Sequence, residues 1–308
     1  MNKLKIGFAG FGFVAGVHAA NLRGDARVEI ASIFDIDPAR GTTRQFDEML
    51  AASDAVYITA PNTLHYDYAM RAIAAGKHVF CEKPFSVNLE HAASLLSAAE
   101  ASPGVFQTGF NRRFANVYHR LAELQAAHPA HCAHIKMNRG ELLNPAWTGD
   151  DAVTGGFLFE TPIHMFDMMR FQFGEIGSIT ARLSQANDFS CLIEFTSGAH
   201  ATFVTSADAG WIFPYERIEA FGRYSTIETQ EMESIRYCLG LGEATGEESF
   251  VRLQMADKWG FREGDRRFVD ACLGGSPPPA TARDGYESVR LCFACYESAR
   301  ERKTVHLA

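Results

Sequence analysis

Clusters of lysine and arginine are missing from this chain, and so is any long apolar run. The 308 residues carry a net charge of −8, and the 29 basic residues are scattered along the sequence. Nucleic-acid and anionic-membrane surfaces need clustered basic side chains, so neither is expected as a partner. No apolar stretch reaches the roughly 20 residues that cross a bilayer, and the glycine-rich N-terminus differs from a secretory signal. We therefore expect a soluble, cytoplasmic protein.

Cysteines are too few and too scattered for a disulfide framework. The chain has seven, and an odd, dispersed set in a chain of this size is typical of reduced, mostly buried thiols. Cys292 and Cys295 form a C-x-x-C, but the surrounding sequence is helical, which favours core packing over redox chemistry. Residues 128–134, "HPAHCAH", have no partner cysteine pair or carboxylate at zinc spacing. No metal site is expected.

Hydrophobic patterning divides the chain into two parts. In residues 1–118, short apolar strands alternate with helices of about 10–15 residues, which predicts parallel βαβ units and a doubly wound α/β sheet. Residues 119–308 contain strand-like runs in succession, such as "FSCLIEFT" and "HATFVTSA", separated by polar or glycine turns. This second pattern predicts an α+β domain with an open, mainly antiparallel sheet.

A glycine loop follows the first predicted strand. Gly10 to Ala15 fits G-x-G-x-x-G/A, in which the first glycine allows a tight turn and the second lets the backbone approach a pyrophosphate. Asp35 ends the next strand, where a carboxylate accepts hydrogen bonds from ribose hydroxyls and repels a 2′-phosphate. Asp35 could alternatively cap the turn before Pro38, and Arg40 keeps NADP possible. The pattern predicts a Rossmann domain that binds NAD.

Polar residues follow three further strands of the predicted parallel sheet. They occupy residues 59–65, "TAPNTLH", residues 82–84, "EKP", and residues 111–113, "NRR". Ligands of such sheets lie beyond the carboxyl ends of the strands, so these groups are candidates for the nicotinamide site. The predicted cofactor-binding residues are Gly10, Gly12, Phe13, Val14, Asp35, Thr59, Ala60, Pro61, Asn62, His65, Glu82 and Asn111.

A lysine stands between a carboxylate and a proline in "EKP". Pro84 restricts Lys83 toward an extended conformation, and an ammonium held there can stabilise a substrate alkoxide as it develops. The alternative is a surface lysine paired with Glu82. Three polar clusters at successive strand ends favour the functional interpretation.

A histidine lies between two acidic residues in "ETPIHMFD". Glu160, His164 and Asp167 are spaced i, i+4, i+7, which places them on one face of a continuous helix. A histidine can take a hydroxyl proton because its pKa suits neutral pH, and a nearby carboxylate can orient it. A satisfied core histidine is the alternative. If the helix began only at Pro162, Glu160 would lie outside it.

These residues together resemble the Gfo/Idh/MocA family of NAD(P)-dependent sugar and polyol oxidoreductases. The resemblance extends over nearly the whole chain. Residues 57–86 are similar to the family's P-N-x-x-H…A-G-K-H-V-x-x-E-K-P, its most specific stretch, and "GFNRRF" and "YESARERKTVHL" also fit. The family's G-G-G-x-x-x-D-x-G-x-H-x-x-D corresponds to "TGGFLFETPIHMFD", in which Glu160 replaces the aspartate and Pro162 departs from the pattern.

The resemblance implies roles for particular residues. Lys83 and His164, with Glu160, would form the catalytic group that oxidises or reduces a secondary carbinol of a sugar, polyol or sugar derivative. Residues 119–308 would bind the carbohydrate substrate and form a homo-oligomer, a dimer or tetramer. Arg113 is open to a structural ion pair and Trp147 to packing. The residues expected to contact substrate are Arg112, Trp147 and Asp167.

Two other functions are compatible with this resemblance. The family includes a fungal transcriptional repressor that uses the fold as a sensor, although a sensor does not need the Lys83 and His164 pair. An NAD-dependent glycosidase would keep both residues, because oxidation at one carbon labilises a neighbouring bond. The sequence alone leaves this second alternative open.

Overall fold

The computed structural model describes residues 3–138, 146–184, 187–210 and 214–307. Contacts group the chain into two compact units. The first comprises Met1–Asn111, Ala152–Gly155 and Gly260–Val289, and the second comprises Arg112–Asp151, Gly156–Trp259 and Arg290–Ala308. The first unit thus includes a stretch from late in the chain. A boundary between residues 118 and 119 stays a prediction.

The first unit contains a parallel sheet of five strands. In chain order they are β1 (Leu4–Ala9), β2 (Val28–Phe34), β3 (Ala55–Ile58), β4 (His78–Glu82) and β5 (Phe106–Gly109). Their spatial order is β2-β1-β3-β4-β5, and every pair is parallel. All four residues of β3 are buried, as expected for a strand covered on both faces. The predicted doubly wound α/β sheet is confirmed.

Eleven helices are formed by the described residues. They are α1 (Phe13–Arg23), α2 (Phe46–Ala52), α3 (His65–Ala74), α4 (Leu89–Ala101), α5 (Asn116–Ala127), α6 (Asp151–Thr154), α7 (Phe157–Glu160), α8 (Ile163–Phe173), α9 (Met255–Lys258), α10 (Phe261–Cys272) and α11 (Ala282–Glu301). None of these helices combines the length and hydropathy needed to cross a bilayer.

Helix α10 belongs to the core of the first unit. Its Phe268 and Val269 are buried with Ile6 and Phe8 of β1 and Ala15 of α1. Burial of two large side chains of this kind contributes about 1.5–3 kcal/mol each. The apolar face of α10 therefore packs a segment from late in the chain against the parallel sheet.

The second unit contains a mixed sheet of nine strands. They are β6 (Ala130–Met137), β7 (Ile176–Leu183), β8 (Phe189–Phe195), β9 (His200–Thr205), β10 (Glu216–Gly222), β11 (Thr226–Gln230), β12 (Ser234–Cys238), β13 (Gly246–Ser249) and β14 (Thr304–His306). Their order is β13-β12-β11-β10-β6-β9-β8-β7-β14. The pair β6–β9 is parallel and the others are antiparallel. The predicted open, mainly antiparallel sheet is confirmed.

One face of the nine-stranded sheet is buried beneath helices. Residues of β8 alternate between buried and exposed, which is the pattern of a strand with one solvated face. Phe166 of α8 contacts Phe203 of β9, and Tyr296 of α11 contacts Phe189 of β8. Cys292 and Cys295 are buried in α11, so their spacing serves core packing as predicted.

Candidate active site

The glycine loop connects β1 to α1. Gly10 has φ +87°, and a Cβ atom there would lie 2.8 Å from the Cα of Ala60. Gly12 is the N-cap of α1, and a Cβ atom there would meet no heavy atom within 4 Å. The open space at Gly12 adjoins the unpaired N–H groups of the first helical turn, an arrangement that suits a phosphate. The loop therefore fits a dinucleotide.

Asp35 joins the glycine loop to the turn after β2. Its Oδ2 accepts a hydrogen bond of 2.6 Å from the Phe11 N–H, and its Oδ1 accepts one of 2.7 Å from the Asp37 N–H. A carboxylate has about four lone-pair sites, so two acceptor positions remain. The turn-capping role and the predicted ribose contact are therefore compatible in one side chain.

The segment after β3 is tied to both neighbouring loops. Thr59 Oγ1 donates a hydrogen bond of 2.6 Å to the Gly10 carbonyl. The ring of His65 lies 2.7 Å from the Pro84 carbonyl and 2.8 Å from the Ala60 carbonyl. Burial lowers the pKa of His65, although both carbonyls favour its protonated form. His65 thus holds the strand ends of β3 and β4 together.

Three of the other predicted cofactor-binding residues lie at the same edge of the sheet. Pro61 and Asn62 follow β3, and the Asn62 side chain donates a hydrogen bond of 3.0 Å to the Thr154 carbonyl. Asn111 is buried in a 3₁₀ turn that begins two residues after the end of β5. Phe13 and Val14 begin α1, and Phe13 is 81% exposed.

Lys83 lies directly after β4 and is partly buried. Its backbone N–H donates a hydrogen bond of 3.2 Å to Glu82 Oε2, and its peptide bond to Pro84 is cis. The other carboxylate oxygen of Glu82 lies 3.1 Å from His18 Nε2. The carboxylate beside the proposed catalytic lysine is therefore engaged with a histidine of α1.

His18 bridges two buried carboxylates. Its Nδ1 lies 2.6 Å from Asp265 Oδ1 of α10, opposite the Glu82 contact. Tyr57 donates a hydrogen bond of 3.1 Å to the same Asp265 oxygen, and Asn21 donates one of 2.8 Å to the other. Burial alone would lower the pKa of His18, but the charges and hydrogen bonds of Asp265 and Glu82 raise it to about 10. The two carboxylates therefore favour the imidazolium form of His18.

The helix that was expected to carry three polar residues on one face is broken. Glu160 ends α7, while His164 and Asp167 lie on α8, which begins at Ile163 with Pro162 as its N-cap. Proline lacks an N–H and has a fixed φ, so it fits a helix start and not a helix interior. The prediction of one continuous face was wrong for Glu160. His164 and Asp167, three residues apart, do share a face of α8.

Both arginines after β5 form buried ion pairs in the second unit. Arg113 contacts Asp167 of α8 through two nitrogens, at 2.7 to 3.1 Å. Arg112 contacts Glu216 of β10 in the same way, and Tyr118 donates a hydrogen bond of 2.6 Å to that carboxylate. Arg113 is thus the ion-pairing residue that the sequence left open. Contact of Arg112 and Asp167 with substrate stays a prediction.

Trp147 lies in the 3₁₀ turn Ala146–Gly149 and is partly buried. Its predicted contact with substrate also stays a prediction. Among the described residues, no group of three or more His, Cys, Asp or Glu side chains is arranged to hold a metal ion.

Sequence patterns did not identify the partners of His18. Asp265 is 247 residues away in the chain, and α10 has no motif that would connect it with the glycine loop. The burial of His18 on an otherwise apolar helix face was the only available signal. A buried histidine requires hydrogen-bond partners, but the sequence does not say where they come from.

Comparison with known proteins supports the nucleotide-binding interpretation of this site. Residues 4–110 match the model of the Gfo/Idh/MocA oxidoreductase family, NAD-binding Rossmann fold, and residues 129–307 match that family's C-terminal alpha/beta domain. The inositol 2-dehydrogenase of Rhizobium meliloti (strain 1021) is 25% identical over an alignment of 336 positions that covers 99% of each chain. The first unit therefore contains an NAD-binding domain, as predicted.

Two further similarities extend over the full length. The myo-inositol 2-dehydrogenase of Thermotoga maritima is 25% identical over an alignment of 335 positions that covers 99% of this chain and 98% of the relative. The crystal structure of GenD2 from gentamicin A biosynthesis, in complex with NAD, superimposes with a TM-score of 0.85 at 26% identity. It covers 100% of this chain and 97% of that one.

Proposed function

Because the chain belongs to the Gfo/Idh/MocA oxidoreductase family, we propose that it transfers a hydride between NAD and a carbohydrate. The reacting group is a secondary alcohol, or the corresponding ketone, of a sugar, polyol or sugar derivative. The observation that carries the proposal is the position of Lys83. It follows β4 in the parallel sheet whose strands β1 and β2 end at the glycine loop and Asp35.

The cofactor site is formed by the strand ends of the first unit. When bound, the nicotinamide supplies the hydride acceptor or donor. The α1 N-terminus and the open space at Gly12 hold the pyrophosphate, and Asp35 accepts hydrogen bonds from the ribose. Thr59 and His65 fix the loop after β3 through hydrogen bonds to the glycine loop and to the segment after β4. The cofactor-binding loops are thereby held beside the end of β4.

Lys83 holds the oxygen of the reacting carbinol. An ammonium that donates a hydrogen bond to this oxygen stabilises negative charge as the hydroxyl proton leaves. The Lys83 backbone is anchored to Glu82, so the side chain starts from a fixed point. Preorganised donors of this kind contribute about 3–4 kcal/mol to transition-state stabilisation when removal of one is measured.

His164 accepts the hydroxyl proton in the oxidative direction and returns it in the reductive direction. The rigid support comes from α8, because Asp167 on the same helix face is paired with Arg113. Glu160, from the neighbouring short helix α7, assists as a polar group near the reaction. Arg112, Trp147 and Asp167 complete the predicted substrate contacts.

A carbohydrate substrate is supported by the two inositol dehydrogenases to which the chain is similar. Neither a non-catalytic sensor nor an NAD-dependent glycosidase is favoured by these relatives. The departures at Glu160 and Pro162 indicate a pocket unlike that of the inositol and glucose enzymes. We therefore propose the substrate class and not one particular sugar.

A substrate panel tests the proposed function. The purified chain is mixed with NAD and inositols, aldoses, sugar acids or amino sugars, and NADH absorbance is followed. Turnover with at least one of these alcohols, absent in Lys83→Ala, supports the proposal. Product analysis by mass spectrometry separates a ketone product from a cleaved glycoside. Absence of NADH across the panel, with NAD bound, would favour the sensor.

We also propose a homo-oligomer, a dimer or tetramer, formed through the solvated face of the nine-stranded sheet. On that face Leu192 of β8 is 44% exposed and Val204 of β9 is 36% exposed, and apolar side chains on adjacent strands suit burial by a second copy. Light scattering coupled to gel filtration measures the state. A monomer at micromolar concentration would contradict this assembly.

The seven free thiols support the cytoplasm as the compartment.

A further inference from the structure

A buried row of charged side chains leads from α10 to the catalytic lysine. Asp265, His18 and Glu82 are each more than nine-tenths buried, with contacts of 2.6 Å and 3.1 Å between successive members. Glu82 uses one oxygen for His18 and the other for the Lys83 N–H. Glu82 is therefore the link between His18 and Lys83.

The surroundings hold this row in one geometry. Gly109 faces Glu82 across the β4–β5 pair, and its missing side chain leaves room for the carboxylate. Asp265 is held by Tyr57 and Asn21. Helix α10 is also fixed beside Asp265, since Gln107 Nε2 donates a hydrogen bond of 3.1 Å to the Gly264 carbonyl. A row built in this way has little freedom to rearrange.

We propose that His18 is a positioning residue for Lys83, acting through Glu82. Its positive charge compensates one of the two buried carboxylates, and its Nε2–H fixes the rotamer of Glu82. The charge and the orientation that Lys83 experiences are thereby set by a histidine from α1. The effect of His18 on turnover rests on the proposed function of Lys83, whereas its effect on the titration of Lys83 does not.

Charge counting gives the direction of the effect. Two carboxylates and one imidazolium leave the row with a single net negative charge. Replacing His18 by glutamine leaves two negative charges, which favour the protonated ammonium of Lys83. Replacing Glu82 by glutamine leaves the row with no net charge, which disfavours the protonated ammonium of Lys83. The double variant restores a single net negative charge.

Other titratable groups face this row, but they stay neutral near pH 7. Burial lowers the pKa of His65, on α3, while the charge of Glu82 raises it and the charge of Lys83 lowers it. Burial raises the pKa of Cys81 on β4 and of Tyr57 on β3 well above their ordinary values. Asp265, His18 and Glu82 therefore carry the charge that Lys83 experiences from this side.

The test is the pKa of Lys83 itself. Whole protein is treated with an amine-reactive anhydride over a pH series, and acylation of the Lys83 peptide is followed by mass spectrometry. We expect His18→Gln to raise the pKa of Lys83 by about one unit and Glu82→Gln to lower it by a similar amount. In His18→Gln/Glu82→Gln the pKa returns close to the wild-type value.

Tyr57→Phe is the matched control, because it removes a hydrogen bond to Asp265 without changing a charge. Its folded form should show the wild-type titration of Lys83 with lowered thermal stability. The pH profile of kcat/KM gives the second readout, since the limb that depends on Lys83 should move in the same directions.

An unchanged titration of Lys83 in folded His18→Gln would overturn the inference. If His18→Gln does not fold, the comparison of Glu82→Gln with the double variant decides, and coincident titrations would contradict it. If the titration shifts as expected but Lys83→Met retains full turnover, the proposed function fails and the positioning of Lys83 by His18 stands.

Discussion

Gly109 lies directly opposite Glu82 in the β4–β5 pair, and a Cβ atom on Gly109 would lie 2.7 Å from the Glu82 carboxyl carbon. That separation is well inside van der Waals contact, so only glycine accommodates the carboxylate in its observed place. A side chain on residue 109 would therefore displace Glu82, which connects His18 with Lys83.

We expect Gly109→Ala to displace the Glu82 carboxylate, lower the free energy of unfolding by about 1–3 kcal/mol and reduce kcat. Urea unfolding and steady-state kinetics measure both effects. Gly177→Ala is the control, because a Cβ atom there meets its nearest atom at 3.6 Å. Equal stability of the two variants would show that Glu82 relocates without cost.

Substitution of the two loop glycines by alanine should affect two different properties, stability at Gly10 and NAD binding at Gly12. Gly10→Ala strains a backbone with φ +87° and meets Ala60, so we expect a loss of at least about 1–2 kcal/mol of stability. Gly12→Ala meets no protein atom and should fold normally while binding NAD at least about tenfold more weakly. Thermal melts and NAD titration separate the two outcomes. Tight NAD binding by Gly12→Ala would place the pyrophosphate elsewhere.

Asp35 should set the preference for NAD over NADP. Asp35→Asn removes the negative charge that repels a 2′-phosphate and weakens acceptance from the ribose hydroxyls. We expect the affinity for NAD to fall about tenfold and the discrimination against NADP to shrink, as measured by fluorescence titration with both cofactors. Asp37→Asn, at a partly buried neighbour in the same turn, serves as the control. Tighter binding of NADP than NAD by the wild-type chain would refute this role.

The protonation of His18 should make stability fall at alkaline pH. Its pKa is raised from 6.5 to about 10 in the folded chain, so its contribution is fully present below pH 6.5 and is lost as pH rises through 10. Other groups also titrate there, so the informative quantity is the difference in unfolding free energy between wild type and His18→Gln. We expect this difference to shrink steadily from neutral pH to pH 10. A constant difference would mean that His18 is neutral.

The parts of this protein that the sequence predicts are those encoded by neighbouring residues. Three features follow from local patterns: the alternation of strands and helices, the Gly10 to Ala15 loop and the acidic end of β2. Each of them has the position in the parallel sheet that the sequence predicts. Asp265 and His18 are brought together only by the packing of α10 against the sheet. No local pattern encodes that contact.

The prediction for Glu160 was wrong for a different reason. The spacing of Glu160, His164 and Asp167 fits one helix, but α7 ends at Glu160 and α8 begins at Ile163, with Pro162 as its N-cap. Steric exclusion of proline from a helix interior outweighs periodicity. The strands β12, β13 and β14 were also missed, because they are short and largely polar and take their order from pairing across the sheet.

We propose that Lys83 and His164 together carry the alcohol chemistry. The most direct measurement is single-turnover reduction of saturating NAD by the substrate found in the panel, in Lys83→Met and His164→Asn. Both variants should bind NAD like the wild type, because neither side chain is assigned to the cofactor. Their rate of NADH formation should fall by roughly 100-fold or more. A wild-type rate in either folded variant would contradict the account.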